Sequence, residues 1–595
     1  MTVLHNPVLR GFAPDPSLVR AGDWYYVATS SFEWFPTIPL HRSRDLAHWE
    51  YAGHVRGAVP GDSLAGVPDS GGIWAPSLSW DGERFWVTYT VVRSVGTPYF
   101  DLDTYISTAS RVGGEWSAPR RVASHGFDPA LFHEDGRLWL LNLQNDHRPG
   151  GERFAGIVAT ELDRDTLEPL GATHLLLQHD RLIEGPKLLR RDGWYYLVLA
   201  EGGTGWEHGV RVARSKELTG PYELDELPLL TTRDDPGVPL QKAGHGELVE
   251  TADGQWLLSH LTARPLHTPL GRRCTLGRET AIQAVTWDAE GWPRLRQGGW
   301  HPAAEVDVPT RPHPLPPAAP PEDLSWPWST LREPPDPSWA DTTARPGWVR
   351  LRGRHGPESR WAASLLAQRL TEHHAEAEVT VEARPVTFTQ AAGLVLWYNP
   401  EAYLALDLTW AEPEGEPQRG QQWSGTRGRG HGRTVLSLVE RDEDGLRQVA
   451  VVDVPVDGRT NRPVDGRTDR PVGPRVAGPV DGQVDHRVDR RGDERMHRRV
   501  DGQVDRRGDE RMDGQVDRLP VTLGVTVEGA EARFWYVRDG VRTAVGPALD
   551  FGRLSDDHGS RLRFTGAMAG IHARDLVDAA FTADFTGFRL TCAPG

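Results

Sequence analysis

The sequence predicts an all-β chain: a five-bladed β-propeller followed by a C-terminal β-sandwich. Three observations carry this. A unit made of a short acidic or His-bearing turn, a glycine and an aromatic run occurs five times, as PDPSLVRAGDWYYVATSS from Pro14, WAPSLSWDGERFWVTYTVV from Trp74, DPALFHEDGRLWLLNLQ from Asp128, EGPKLLRRDGWYYLVLAEGG from Glu184 and HGELVETADGQWLLSHLT from His245. Its turn glycines, Gly22, Gly82, Gly136, Gly193 and Gly254, are 60, 54, 57 and 61 residues apart, too far for a helical solenoid unit and right for one four-stranded blade per copy. No segment holds an apolar period of 3.6, so strands account for the whole pattern.

Taken in order, residues 1–305 carry the five copies, with aromatic and β-branched runs broken by DG, GG and PG turns. Residues 306–339 are Pro-rich (RPHPLPPAAPPEDLSWPWSTLREPPDP), a composition that suits neither a helix nor a sheet interior. They read as an extended connector, and Trp326 and Trp328 mark it as docked. Over 340–595 short alternating strands return (AEAEVTVEARP, AAGLVLWYNPEAYLALDLTW, TVLSLVE, VTLGVTVEGAEARFWYVRDG, FTADFTGFRLTC) without the turn-glycine unit, as in an antiparallel sandwich. Residues 456–518 repeat VDGRT and VDGQVD units rich in Asp and Arg. They read as a disordered insertion, because so little apolar surface does not offset the ordering entropy.

At 595 residues the chain is too long for one core, and its 23 Trp against 4 Met offer faces for sugar rings as well as core filling. A net charge of −16 argues against nucleic acid or an anionic membrane as partner and favours a neutral polar substrate. Two cysteines, Cys274 and Cys592, are too few for a disulfide framework or a zinc site and read as free thiols, with a single bridge between them as the alternative. MTVLHNPVLRGFAPDPS has neither a basic nor an apolar leader region, and no stretch approaches a membrane span. A cytoplasmic enzyme acting on imported substrate is the expectation. A homo-oligomer is left open.

The propeller also locates candidate chemistry. Each copy places one residue before the blade's first strand, where innermost strands converge on the channel, and three of the five are carboxylates: Asp15, Asp128 and Glu184. Hydrolysing a glycosidic bond needs a proton for the leaving oxygen and a nucleophile at the anomeric carbon, and two carboxyls supply both. Asp before Pro also caps turns, which would explain any one of them alone; recurrence at matching positions favours the channel.

NPVLRGFAPDPSLVRAGDWYYVATSSFEWFPTIPLHRSRDLAHWE, GIWAPSLSW, GFDPALF, IEGPKL, KAGHGELVET and LGRETAIQ together resemble glycoside hydrolase family 43, in its two-domain β-xylosidase subgroup. The resemblance implies a concanavalin-like jelly roll as the accessory domain and an inverting mechanism. It assigns Asp15 as general base, Glu184 as general acid and Asp128 as the carboxylate that tunes and orients the acid. It also implies that Arg278 lies in the sugar subsite and that Phe32 and Trp74 wall it. By pattern alone Arg278 could be a surface residue, and Phe32 and Trp74 core. His245, placed at the fifth blade's equivalent of the acid, matches a histidine that in some relatives holds calcium through water; a satisfied core histidine is as good a reading. No cofactor is implied beyond that calcium. In FTGAMAG, Met568 stands where an aromatic residue reaching over the pocket is expected.

The implied activity is exo-acting β-1,4-xylosidase on xylo-oligosaccharides, with α-L-arabinofuranosidase side activity. A dedicated α-L-arabinofuranosidase is the alternative, and a non-catalytic sugar-binding propeller is the reading from another class. That last reading is disfavoured by the presence of all three carboxylates.

Overall fold

The computed structural model describes residues 2–97, 99–315, 323–411, 433–454, 520–561 and 563–594. Among these the regular structure is β apart from two short 3-10 turns, Pro60–Asp62 and Phe551–Arg553. The 456–518 insertion lies outside the described residues.

Five antiparallel sheets follow one another along the first half of the chain. They open with the strands Ser17–Ala21, Gly72–Trp80, Gly126–Glu134, Ile183–Arg191 and Gln241–Glu250. Each sheet has four strands in sequence order, and the fourth sheet gains Leu230–Thr231 beside its third strand. Opening strands of successive sheets touch, and the fifth touches the first, so the ring closes. The N-terminal segment ties the closure. Asn6 donates from Nδ2 to the Ile282 carbonyl at 2.8 Å and accepts the Ile282 amide at 2.9 Å, and the Ala13 amide donates to the Arg278 carbonyl at 2.9 Å. Strand Thr2–His5 pairs with Glu305–Val308.

The repeated glycines sit in the turns between first and second strands with φ from 61° to 99°. A Cβ at Gly22, Gly82, Gly136 or Gly193 would meet nothing within 4 Å, so the left-handed backbone, and not crowding, selects glycine there.

The second half holds two sheets. One runs from Ala340–Asp341 through Val349–Arg352, Thr582–Ala593, His374–Ala383, Val521–Glu528 and Glu531–Arg538 to Val541–Ala544; the other is six-stranded, with Gln390–Asn399 and Ala402–Ala411 at its centre and Met568–Asp575 beside Gln390–Asn399. Gln390–Asn399 is buried throughout, which explains its unbroken apolar run. Leu394 and Leu396 face the core between the sheets, while Val395 and Trp397 pack with Phe12, Phe32 and Trp34 of the propeller. Each such side chain removed from water contributes about 1.5–3 kcal/mol. The connector joins the two halves: Thr330–Leu331 pairs with Trp34–Phe35, and the Trp326 ring stacks on Tyr51 at 4.7 Å and 4°.

Candidate active site

At or just before the opening strand of each blade a left-handed residue stands at one matching position: Asp15 (φ 54°), Ala75 (37°), Asp128 (52°), Gly185 (57°) and His245 (50°). In the second to fifth blades the ladder slips there, between Trp74 and Ser77, Phe127 and Ala130, Glu184 and Lys187, and Gly244 and Glu247. Such a bulge sets two residues against one and re-aims side chains. The register this gives corrects the sequence reading. Asp15, Asp128 and His245 are equivalent, whereas Glu184 lies one residue earlier, level with Trp74 and Phe127. His245 is therefore the counterpart of Gly185 and not of the proposed acid. A side chain at 185 is disfavoured, since a Cβ there would lie 3.1 Å from Cε1 of His245 on a left-handed backbone. Asp128 and Glu184 also lie inside their strands, and only Asp15 precedes one.

The three carboxylates meet in one pocket, Asp15 and Asp128 buried and Glu184 partly exposed. Asp15 accepts from Ser30 Oγ at 2.6 Å and from Arg278 Nη1 at 3.1 Å, and its Oδ1 lies 3.8 Å from His245 Nδ1. Burial pushes the Asp15 pKa up, but Arg278, then His245 and the Ser30 hydrogen bond, outweigh it and hold the carboxyl below its ordinary value. Asp128 accepts the Gly185 amide at 3.0 Å, which ties it to the residue after Glu184. Burial first, then the charges of Glu184 and Asp15, raise Asp128 well above the usual range. Burial and then Asp15 push Glu184 up to about 7, against Arg278. The pocket thus sets an Asp15 that ionises readily beside two carboxyls that hold their protons to higher pH, the separation that acid and base roles require.

The loops between second and third strands lie at the same end of the blades as the bulges, since each second strand ends beside the start of the first, as Gln144 does beside Gly126. They bring in Phe32, Thr204 and Arg278, and Arg278 Nη1 donates to Thr204 Oγ1 at 2.6 Å. Phe32 and Trp74 stand 6.2 Å apart between ring centres. A third aromatic closes on both: Phe564 of the sandwich, 5.9 Å from Phe32 and 5.4 Å from Trp74 at 86°. The expectation at Met568 is corrected accordingly. Met568 begins a sheet strand and is fully buried between the two halves, and the aromatic comes from the irregular stretch four residues earlier. Phe564 is the first residue of the FTGAMAG segment and reaches the pocket from outside the strand.

Two residues beyond each left-handed position a further layer forms, which sequence reasoning missed. Lys187 Nζ donates to Ser77 Oγ at 2.6 Å and Ser17 Oγ at 3.4 Å, and lies 3.6 Å from Glu247. This buried ammonium opposes a cation beside it. His245 is lowered to about 4 by burial, with Lys187 and Arg278 adding to the effect against Asp15. Among the described residues three potential metal donors converge only at Cys274, Asp556 and Asp557, where Lys242 already pairs with both aspartates at 2.9 and 2.7 Å. The surroundings of His245 do not fit calcium. Cys274 and Cys592 are both free.

Comparison with known proteins agrees with this architecture. The model of glycosyl hydrolases family 43 matches residues 4–293, and that of the beta xylosidase C-terminal concanavalin A-like domain matches 320–459 and 487–591. The chain is 41% identical to a beta-xylosidase of Bacillus subtilis (strain 168) over 427 residues, 69% of this chain and 80% of that one. It is 34% identical to xylosidase/arabinosidase 43B of Humicola insolens over 99% of this chain and 97% of the relative. The crystal structure of xylan beta-1,4-xylosidase from Bacillus halodurans C-125 superposes with a TM-score of 0.82 at 35% identity, covering 99% of this chain and all of that one. A propeller and a sandwich matched in full, in that order, make this chain a member of glycosyl hydrolase family 43.

Proposed function

We propose that this chain is an inverting, exo-acting β-1,4-xylosidase that releases xylose from the non-reducing ends of xylo-oligosaccharides. The observation that carries it is the opposite displacement of two carboxyls in one pocket, Asp15 downward and Glu184 up to about 7. Asp15 takes a proton from a water whose oxygen attacks the anomeric carbon. The bond from that carbon to the glycosidic oxygen breaks, and Glu184 gives its proton to the departing oxygen. One water is consumed, and Asp15 ends protonated while Glu184 ends ionised. Burial and the charge of Asp15 keep the acid protonated, and Asp128 holds the residue after it in place by accepting the Gly185 amide.

Phe564 packed across Phe32 and Trp74 supports the exo reading, since a pocket walled on three sides by rings takes a chain end. In this reading residues 1–305 carry the chemistry, 306–339 fasten the halves and 340–595 complete the pocket. The free thiols support a reducing compartment, the cytoplasm. The xylosidase/arabinosidase name of the Humicola insolens relative favours α-L-arabinofuranosides as second substrates. The test compares nitrophenyl β-xyloside, nitrophenyl α-arabinofuranoside and xylobiose. Xylose release from xylobiose is expected, and none from either xyloside would overturn the proposal.

A further inference from the structure

Ser70 makes three hydrogen bonds, and two of them hold pocket walls. Its carbonyl accepts the Trp74 indole N–H at 2.9 Å, its hydroxyl accepts the Phe564 amide at 3.0 Å, and its own amide donates to the buried carboxylate of Glu33 at 3.1 Å. The residue is 2% exposed and left-handed at φ 61°, a conformation uncommon outside glycine and kept where surroundings impose it. Phe564 lies in the irregular stretch before strand Met568–Asp575. Its buried amide therefore has no ladder partner and depends on the serine, 494 residues away in the chain. The path continues, since the Phe564 carbonyl accepts Arg278 Nη2 at 3.0 Å and Arg278 Nη1 reaches Asp15.

We propose that Ser70 is a positioning residue that fixes Phe564 of the sandwich and Trp74 of the propeller as one clamp and, through the Phe564 carbonyl, holds Arg278 on Asp15. This rests on the pocket being the hydrolytic site proposed above. A residue that only glued the two halves together would act on stability and leave the contribution of Phe564 to turnover intact.

A double-mutant cycle on kcat/KM for xylobiose separates the two roles, using Ser70→Gly, Phe564→Ala and the pair in the full-length protein. Glycine accepts φ 61° without strain while removing the hydroxyl. Ser70→Ala serves as the second variant if the glycine proves too loose. Loss of the buried acceptor should lower kcat/KM about tenfold. The double variant should lose clearly less than the product of the two single losses, because the ring that Ser70 positions is already gone, while the 564 amide and carbonyl that link Ser70 to Arg278 remain in alanine. Losses that multiply in the double variant, or a serine variant as active as wild type, would overturn the role of Ser70. Absence of wild-type turnover of xylobiose would instead defeat the proposed function, so the two failures are distinguishable.

Discussion

The guanidinium of Arg278 lies 3.1 Å from the carboxylate of Asp15, and both residues are almost wholly buried. Arg278 pulls down the pKa of Asp15 and also that of Glu184. With Asp15 required as carboxylate and Glu184 as acid, kcat/KM should fall on the acid side as Asp15 gains a proton, and on the alkaline side through about pH 7 as Glu184 loses one. Replacing Arg278 with Met should raise both values, because burial then acts on each carboxyl with less opposition. The whole profile moves to higher pH. A pH series on kcat/KM checks this, and an acid limb that stays put would break the link from Arg278 to Asp15.

Removing each proton carrier should have a different signature. Asp15→Asn and Glu184→Gln should each lower turnover of xylobiose by roughly 10² to 10⁴-fold or more. A nitrophenolate leaves with little help from an acid, so Glu184→Gln should recover in part on nitrophenyl β-xyloside, whereas Asp15→Asn should not. Equal losses on both substrates for Glu184→Gln would remove it from the acid role.

Two glycines of the fourth blade permit a controlled comparison. Gly185 and Gly193 are both left-handed, at φ 57° and 73°, but a Cβ at 193 meets open space whereas one at 185 meets the His245 ring at 3.1 Å. Either alanine should cost about 1–2 kcal/mol for its backbone, seen in denaturant midpoints. Only Gly185→Ala should also lower kcat, by about tenfold or more, since it displaces the neighbours of Glu184 and the amide that Asp128 accepts. Matching activity in the two variants would show that position 185 has no part in placing the acid.

These same positions show what the sequence makes legible. The repeated turn glycines are read easily because a left-handed turn leaves few choices of residue, and the carboxylates of Asp15 and Asp128 stand at equivalent places in equivalent strands. The register of Glu184 is not read, because a bulge shifts which of two neighbours carries the carboxylate, and the His245 ring that crowds a side chain at 185 comes from the next blade. Phe564 is harder still. It acts from an irregular stretch whose position depends on the sandwich docking against Phe12, Phe32 and Trp34, a long-range packing that no local pattern encodes. Ser70 and Lys187 carry no motif of their own, and their roles exist only once four or five segments have met.

The stereochemistry of the product tests the arrangement most directly. Asp15 belongs to the first blade and Glu184 to the fourth, so in the proposed mechanism the two carboxyls reach the anomeric carbon from different blades. An inverting pair leaves roughly 6.5–9.5 Å for a water beside the base, whereas a retaining pair stands about 5–5.5 Å apart and attacks directly. The low pKa of Asp15 fits either a base or a nucleophile, but its two oxygens are engaged by Ser30 and Arg278, which fix the carboxylate in place to receive a proton from water. Hydrolysis of a β-xyloside should therefore give α-xylose first, recorded by proton NMR before mutarotation mixes the anomers. First appearance of β-xylose would mean a covalent glycosyl intermediate on Asp15, and its assignment as general base would have to be withdrawn.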